Sequence, residues 1–156
     1  MSDYQKKVED FLNSRNIAFA GVSRKADKNV ANAIMRKFSE SGYKVFPVNP
    51  HASEIDGFTC YENIQSIPEQ IDAVLITTKP IHAIKIVKDC KEASVKMVWF
   101  HRSLGQGSFS QEAADFCSEN NITAIENGCP IMFLEPVDIF HKWFKHFLNF
   151  FGKLEK

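Results

Sequence analysis

The sequence predicts an α/β fold: a Rossmann-like doubly wound parallel sheet in a single domain, with an added C-terminal aromatic helix. Three observations carry this. Short apolar runs alternate with segments of helical period. The runs are apolar on nearly every residue, as suits strands covered on both faces. The first run leads into a glycine turn and then a helix, the opening of a dinucleotide-binding unit. The domain is expected over residues 1–156, with its core over about 17–133 and the added helix over about 138–151.

The expected strands are Ile17–Val22, Tyr43–Val48, Ala73–Thr78, Lys96–Phe100 and Ile122–Glu126. Between the first two, Val30, Ala33, Ile34 and Phe38 recur at helical spacing, and Gly42 supplies a stop. Between the third and fourth, Pro80 opens a helix in which Ile81, Ile84, Val87 and Cys90 share one face and Lys85, Lys88 and Lys91 another. Proline suits a first helical position because its missing N–H would have no intrahelical partner there. Before the fifth strand, "SFSQEAADFC" offers Ser108 or Ser110 as a helix cap.

Composition bounds the function. At 156 residues the chain is about one domain, and its 19 basic and 19 acidic residues balance, which argues against nucleic acid or an anionic membrane as partner. Any anion site is therefore local. Cys60, Cys90, Cys117 and Cys129 lie far apart without a CxxC pair, which fits reduced thiols better than zinc or a disulfide framework. "MSDYQKKVEDF" lacks the apolar core of a signal peptide, and no run has the apolar length of a membrane span. A cytoplasmic protein is expected.

In a doubly wound sheet, ligands lie beyond the carboxyl ends of the strands. Here those ends contribute Gly21 to Lys28, Asn49 and Pro50, Thr77 to Pro80, His101 to Gly107, and Asn127 to Pro130. Ser23 stands where a GxGxxG fingerprint has its second glycine, and Arg24, Lys25 and Lys28 follow it. Gly21 permits a close turn, Ser23 offers a hydroxyl and an N–H, and the next helix points its first amides at the loop, an arrangement suited to a diphosphate. NAD enzymes of this fold place an acidic residue at the end of the second strand to hold the ribose hydroxyls. This chain has "VNPH" there, and Asn49 carries no charge to repel a phosphorylated ribose. NADP and coenzyme A both remain open on that reading.

"IAFAGVSRKADKN", "GYKVFPVNP", "TTKP", "VWFHRSLGQGSFSQEA" and "NGCPIMF", in this order, resemble the single-domain coenzyme-A-binding proteins, which are similar to the nucleotide-binding domain of the succinyl-coenzyme-A ligase alpha subunit. The resemblance covers about Ile17 to Phe133. It implies that Gly21, Val22, Ser23 and Arg24 lie along the coenzyme diphosphate with Lys28 near a phosphate. It also implies that Asn49 and Pro50 border the adenosine, that Thr78, Lys79 and Pro80 form another wall, and that Asn127, Gly128, Cys129 and Pro130 lie towards the pantetheine. The ligase's phosphohistidine and ATP-grasp regions have no counterpart in this sequence, so binding is expected to carry over and ligase activity is not. The expected function is non-catalytic binding of coenzyme A or an acyl-coenzyme A, as a sensor or carrier. The alternative is a small NADP-dependent oxidoreductase or a thiol-redox protein.

His101, beside Arg102, and Cys129 are the residues to weigh for chemistry. A Cys–His pair needs hydrogen-bond reach and an orienting third group; the simpler expectations are a polar residue closing a strand and a small buried thiol at a turn. In "DIFHKWFKHFLNFFGK", Phe140, Trp143, Phe144, Phe147 and Phe151 gather on one helical stripe. Packing back onto the domain is expected of it, with a homodimer through this helix as the alternative.

Overall fold

The computed structural model describes residues 1–25, 29–102 and 105–134. Along the chain these residues form α1 (Asp3–Leu12), β1 (Asn16–Ala20), α2 (Val30–Glu40), β2 (Lys44–Val48), a small hairpin of β3 (Glu54–Ile55) and β4 (Phe58–Thr59), a 3-10 turn over Ile64–Ser66, β5 (Ala73–Ile76), α3 (Pro80–Glu92), β6 (Met97–Phe100), α4 (Gln111–Glu119), β7 (Thr123–Ile125) and a 3-10 turn over Pro130–Phe133. Five strands make one parallel sheet in the order β2-β1-β5-β6-β7. The Rossmann-like α/β expectation holds. From β1 the chain crosses to β2 on one side and later returns to β5 on the other, so the order reverses between β1 and β5. The aromatic helix expected over about 138–151 lies outside the described residues.

The two-residue period of each strand divides the core into two layers. Ile17, Phe19, Val45, Leu75, Trp99 and Ile125 face α1 and α2, while Ala18, Ala20, Phe46, Val74, Ile76, Val98 and Phe100 face α3 and α4. Pro47 is tolerated because β2 is the edge strand. The segment after β4 covers that edge: Tyr61 donates its N–H to Pro47 O at 3.0 Å, and Asn49 donates to Tyr61 O at 2.9 Å.

Helix boundaries agree with the sequence better than helix faces do. Gly42 has φ +94° just past α2, and Ser110 caps α4 by accepting the Ala113 N–H at 3.3 Å. Ser108 does a different job, described below. On α2 the buried stripe is Ala31, Ile34, Met35 and Phe38; Val30 is 56% exposed and Ala33 is exposed too. On α3, Ile81 is 77% exposed and Ala83 joins Val87 and Cys90 in the core. In both helices the exposed apolar residue lies in the first turn.

Helix α1 is not among the elements expected from the sequence. Its start is a capping box, with Ser2 Oγ accepting the Gln5 N–H and the Gln5 side chain accepting the Ser2 N–H. Tyr4, Val8 and Phe11 form its buried face. Phe11 meets Trp99 edge-on at 5.1 Å and Phe38 at 6.3 Å, so α1 closes the layer that α2 leaves open over β6 and β7. Truncating a buried Phe costs about 3–5 kcal/mol. Phe11→Ala should therefore lower the melting temperature strongly, as read by calorimetry; an unchanged melt would mean that α1 is not part of the folded core.

Candidate functional site

At the division between β1 and β5 the two strand ends are tied together. Ala20 O accepts the Thr77 N–H at 2.8 Å and the Thr77 hydroxyl at 3.0 Å. Gly21 follows with φ +116°, and a Cβ there would lie 2.8 Å from Thr78 N and against the Thr77 side chain. Only glycine fits, for conformation and for space. With Thr77 turned inwards, the neighbouring Thr78 Oγ1 is buried without a hydrogen-bond partner among the described residues. A buried hydroxyl left unpaired costs about 1–3 kcal/mol, so the wall it stands on suits a polar ligand.

Beyond these strand ends is a cleft of about 400 Å³, within the size range of small-molecule sites. Ala20, Gly21, Val22, Val48 and Ile64 give it an apolar floor, Asn49, Pro50 and His51 come from the end of β2, and Thr78 comes from the end of β5. Its outer wall is α3, through His82, Lys85, Ile86 and Asp89; Glu62 and Asn63 close the remaining side. Asp89 is already partnered, by Lys85 Nζ at 2.9 Å and Gln65 Nε2 at 3.0 Å. A second, more open depression adjoins it, lined by Ser23, Arg24, Lys25, Asn49 and His51. The two differ in charge. Among the described residues, the depression is lined by cations and no carboxylate, whereas the cleft has Glu62 and Asp89 on its walls.

The loop after β1 is held by side chains rather than by sheet bonds. Asn49 Nδ2 donates to Val22 O at 3.0 Å, and Asn49 Oδ1 accepts the His51 N–H at 2.8 Å. The Ser23 N–H is taken by Asn32 Oδ1 at 2.8 Å, and Ser23 Oγ accepts the Lys25 N–H at 3.0 Å. Asn29 caps α2, its Oδ1 accepting the Ala31 N–H at 2.9 Å and the Asn32 N–H at 3.4 Å. Among the described residues, the anion-binding potential of this loop resides in the Ser23 hydroxyl and the cations of Arg24 and Lys25, with the Ser23, Ala31 and Asn32 N–H groups already paired.

Of the residues expected from the sequence, Gly21, Val22, Asn49, Pro50 and Thr78 meet around the cleft, and Ser23 and Arg24 line the depression. Lys79 is the N-cap residue of α3 and Pro80 its first helical residue, so they set the start of the wall. Lys28 lies outside the described residues. Asn127 to Pro130 build a different part of the molecule: Asn127 O accepts Tyr4 Oη and Trp99 Nε1, each at 3.0 Å, Gly128 pairs with Arg102, and Cys129 and Pro130 are buried. His51, Glu62, Asn63, His82, Lys85, Ile86 and Asp89 were not expected. The i, i+3, i+4, i+7 spacing of His82, Lys85, Ile86 and Asp89 is the one signal that could have found the α3 wall.

Burial shifts the Cys60, Cys90 and Cys117 thiols and His101. It pushes the Cys60 thiol up and the Cys117 thiol up to about 12, with Glu126 adding to the latter. Burial also raises Tyr4, with a smaller push from neighbouring Cys129. His101 closes β6, its N–H on Ile76 O at 2.9 Å, and burial lowers its pKa.

Three comparisons bear on this site. Residues 15–135 match the model of a family described as the CoA binding domain. The chain is 30% identical over 131 residues to the Pyrococcus furiosus acetate–CoA ligase [ADP-forming] I subunit alpha, which covers 80% of this chain and 28% of that protein. It is also 30% identical over 94 residues to the acetate–CoA ligase [ADP-forming] of Methanocaldococcus jannaschii, covering 60% of this chain and 13% of that one. The chain thus spans less than a third of these relatives. Among solved structures, a hypothetical protein from Pyrococcus horikoshii OT3 superposes with a TM-score of 0.77 at 28% identity over 86% of this chain and 91% of that one. The Ca. Korarchaeum cryptofilum dinucleotide-forming acetyl-coenzyme A synthetase 1, in complex with phosphate and ADP, superposes with a TM-score of 0.63 at 25% identity over 75% of this chain and 26% of that one.

Two outcomes follow from the geometry. Gly21→Ala forces a non-glycine residue to a strained φ against backbone atoms and should cost on the order of 1–3 kcal/mol, measured by denaturant unfolding. His101 has a folded pKa below its ordinary 6.5, so the unfolded chain binds the proton more readily. Its contribution to stability is complete above that value and is lost as the pH falls through the range below it. His101→Gln should flatten that part of the stability–pH curve.

Proposed function

This chain belongs to the CoA binding domain family, and from that premise we propose that it binds coenzyme A or an acyl-coenzyme A in the cytoplasm, as a sensor or carrier rather than as a catalyst. The observation that carries the reading is the cleft at the division between β1 and β5, where only glycine fits at Gly21 and the Thr78 hydroxyl is buried without a hydrogen-bond partner among the described residues. It marks the strand-end cleft as the place where a polar ligand completes the structure.

The two adjoining cavities support an orientation for that ligand. The coenzyme's phosphates belong over the depression, where Ser23, Arg24, Lys25 and His51 supply donors and positive charge with no acid among them. The adenosine belongs in the cleft, between the apolar floor and α3. There Glu62 and Asn63 offer acceptors of the kind an exocyclic amine needs. Asn49 stands between the two cavities, and its amide already bridges Val22 and the start of the next loop. It therefore acts through loop shape as much as through contact. Lys79 and Pro80 act through the start of α3. Asn127, Gly128, Cys129 and Pro130 are assigned to the pantetheine side by the family resemblance, and Lys28 to a phosphate on the same ground.

Calorimetric titration of one preparation with coenzyme A, dephospho-coenzyme A, NADP and NAD tests the reading. Coenzyme A should bind most tightly. One charge-assisted phosphate contact is worth about 1.5–3 kcal/mol, so loss of the ribose phosphate should weaken binding by about tenfold or more. Tighter binding of NADP would favour the oxidoreductase reading, and tighter binding of NAD would remove the basis for both.

A further inference from the structure

Behind the loop after β1 lies a buried amide that makes three hydrogen bonds, one accepted by its oxygen and two donated by its NH2. Asn32, in the first turn of α2, is fully buried. Its Oδ1 accepts the Ser23 N–H at 2.8 Å, and its Nδ2 donates to Ser23 O at 2.9 Å and to Asp56 Oδ2 at 3.3 Å. The side chain thus pairs with Ser23 as a neighbouring strand would, at a point where the chain has left the sheet. Asp56 also accepts from Arg36 Nη1 at 2.9 Å. It sits at φ +52° in the two-residue Asp56–Gly57 turn of the β3–β4 hairpin, which carries its carboxylate across to α2.

We propose that Asn32, oriented by Asp56, is a positioning residue that sets the Ser23 peptide in the conformation that receives the ligand's diphosphate. The carboxylate holds the amide in the orientation that the Ser23 peptide also favours. If the amide flipped, its oxygen would face both Asp56 and Ser23 O, and its NH2 would face the Ser23 N–H, so all three contacts would turn repulsive. One orientation survives, and with it one placement of the Ser23 hydroxyl and of Arg24 after it. The hairpin, remote in sequence from the loop, is thereby part of the binding machinery. This inference rests on the coenzyme A reading of the same site.

Three variants test it, each checked for an intact melting transition and titrated with coenzyme A and with adenosine 3′-monophosphate, which lacks the diphosphate. Asn32→Leu should weaken coenzyme A by about tenfold or more, since it leaves both Ser23 peptide groups unpaired. Asp56→Asn keeps the left-handed turn, which asparagine tolerates, and removes only the orienting charge. It should weaken coenzyme A severalfold, leave adenosine 3′-monophosphate unchanged and speed hydrogen exchange at the Ser23 amide. Arg36→Gln removes the partly exposed ion pair but not the Asn32–Asp56 bond, and should change coenzyme A binding by less than about twofold. If Asn32→Leu does not fold, Asp56→Asn and Arg36→Gln decide. Equal losses in these two, equal losses for both ligands, or unchanged coenzyme A binding in Asp56→Asn would overturn the positioning role. No coenzyme A binding by the unaltered protein would instead overturn the functional reading beneath it.

Discussion

The carbonyl oxygen of Ala20 accepts both the N–H and the hydroxyl of Thr77, and this double hydrogen bond draws the ends of β1 and β5 so close that the next residue has no room for a Cβ. Much of the site geometry follows from that contact. Gly21 has to turn away at a φ open to glycine, and the loop that follows leads to α2 on one face of the sheet. The chain leaving β5 leads to α3 on the other face. The two departures open the cleft. Thr77 uses its hydroxyl in this contact, and the neighbouring Thr78, on the cleft wall, keeps a buried hydroxyl without a hydrogen-bond partner among the described residues.

Loops that leave a sheet lose the ladder that pairs their backbone, and this protein replaces the ladder with buried polar side chains. Two polar residues are buried among the described residues, Asn32 and Ser108, and both serve this purpose. Asn32 pairs with both sides of Ser23 behind the first loop. Ser108 does the same behind the loop after β6: its N–H bonds His101 O at 3.0 Å, and its hydroxyl lies 2.7 Å from Ile76 O. Gly107 makes room for this, since a Cβ there would come within 2.9 Å of Arg102 Cα. At each loop a glycine supplies the close approach and a buried polar side chain supplies the hydrogen bonds. A backbone paired in this way is held without being covered, which leaves its outer surface for a ligand.

The same economy separates the two halves of the strand-end edge. Over β2, β1 and β5 the edge is open, with His51, His82, Lys85 and Glu62 around a cavity. Over β6 and β7 it is closed by Trp99, Tyr4 and the turn at Pro130–Phe133, with Asn127 O as the shared acceptor. Helix α1 makes that difference. By filling the layer over β6 and β7 it anchors Asn127 to Pro130 as structure.

The sequence by itself determined the sheet: the five parallel strands within one or two residues of their ends, α2 to α4, Gly21 at the turn and Ser110 as a cap. Those features depend on local pattern, since a strand buried on both faces is apolar at every position and a helix start needs a side-chain acceptor nearby. It also placed Gly21, Val22, Asn49, Pro50 and Thr78 at one edge, because a parallel sheet brings all its strand ends to the same side. The tertiary structure alone decided which residues oppose one another across that edge. The α3 wall of His82, Lys85, Ile86 and Asp89 faces the end of β2 only because α3 crosses that face of the sheet. Asp56 reaches Asn32 only because the hairpin folds back over α2. Val30 and Ile81, apolar residues in the first turns of α2 and α3, lie outside the core. Periodicity reports which face of an element is apolar. What that face meets, and where cover stops, depends on contacts between residues far apart in the chain, and no local pattern encodes those.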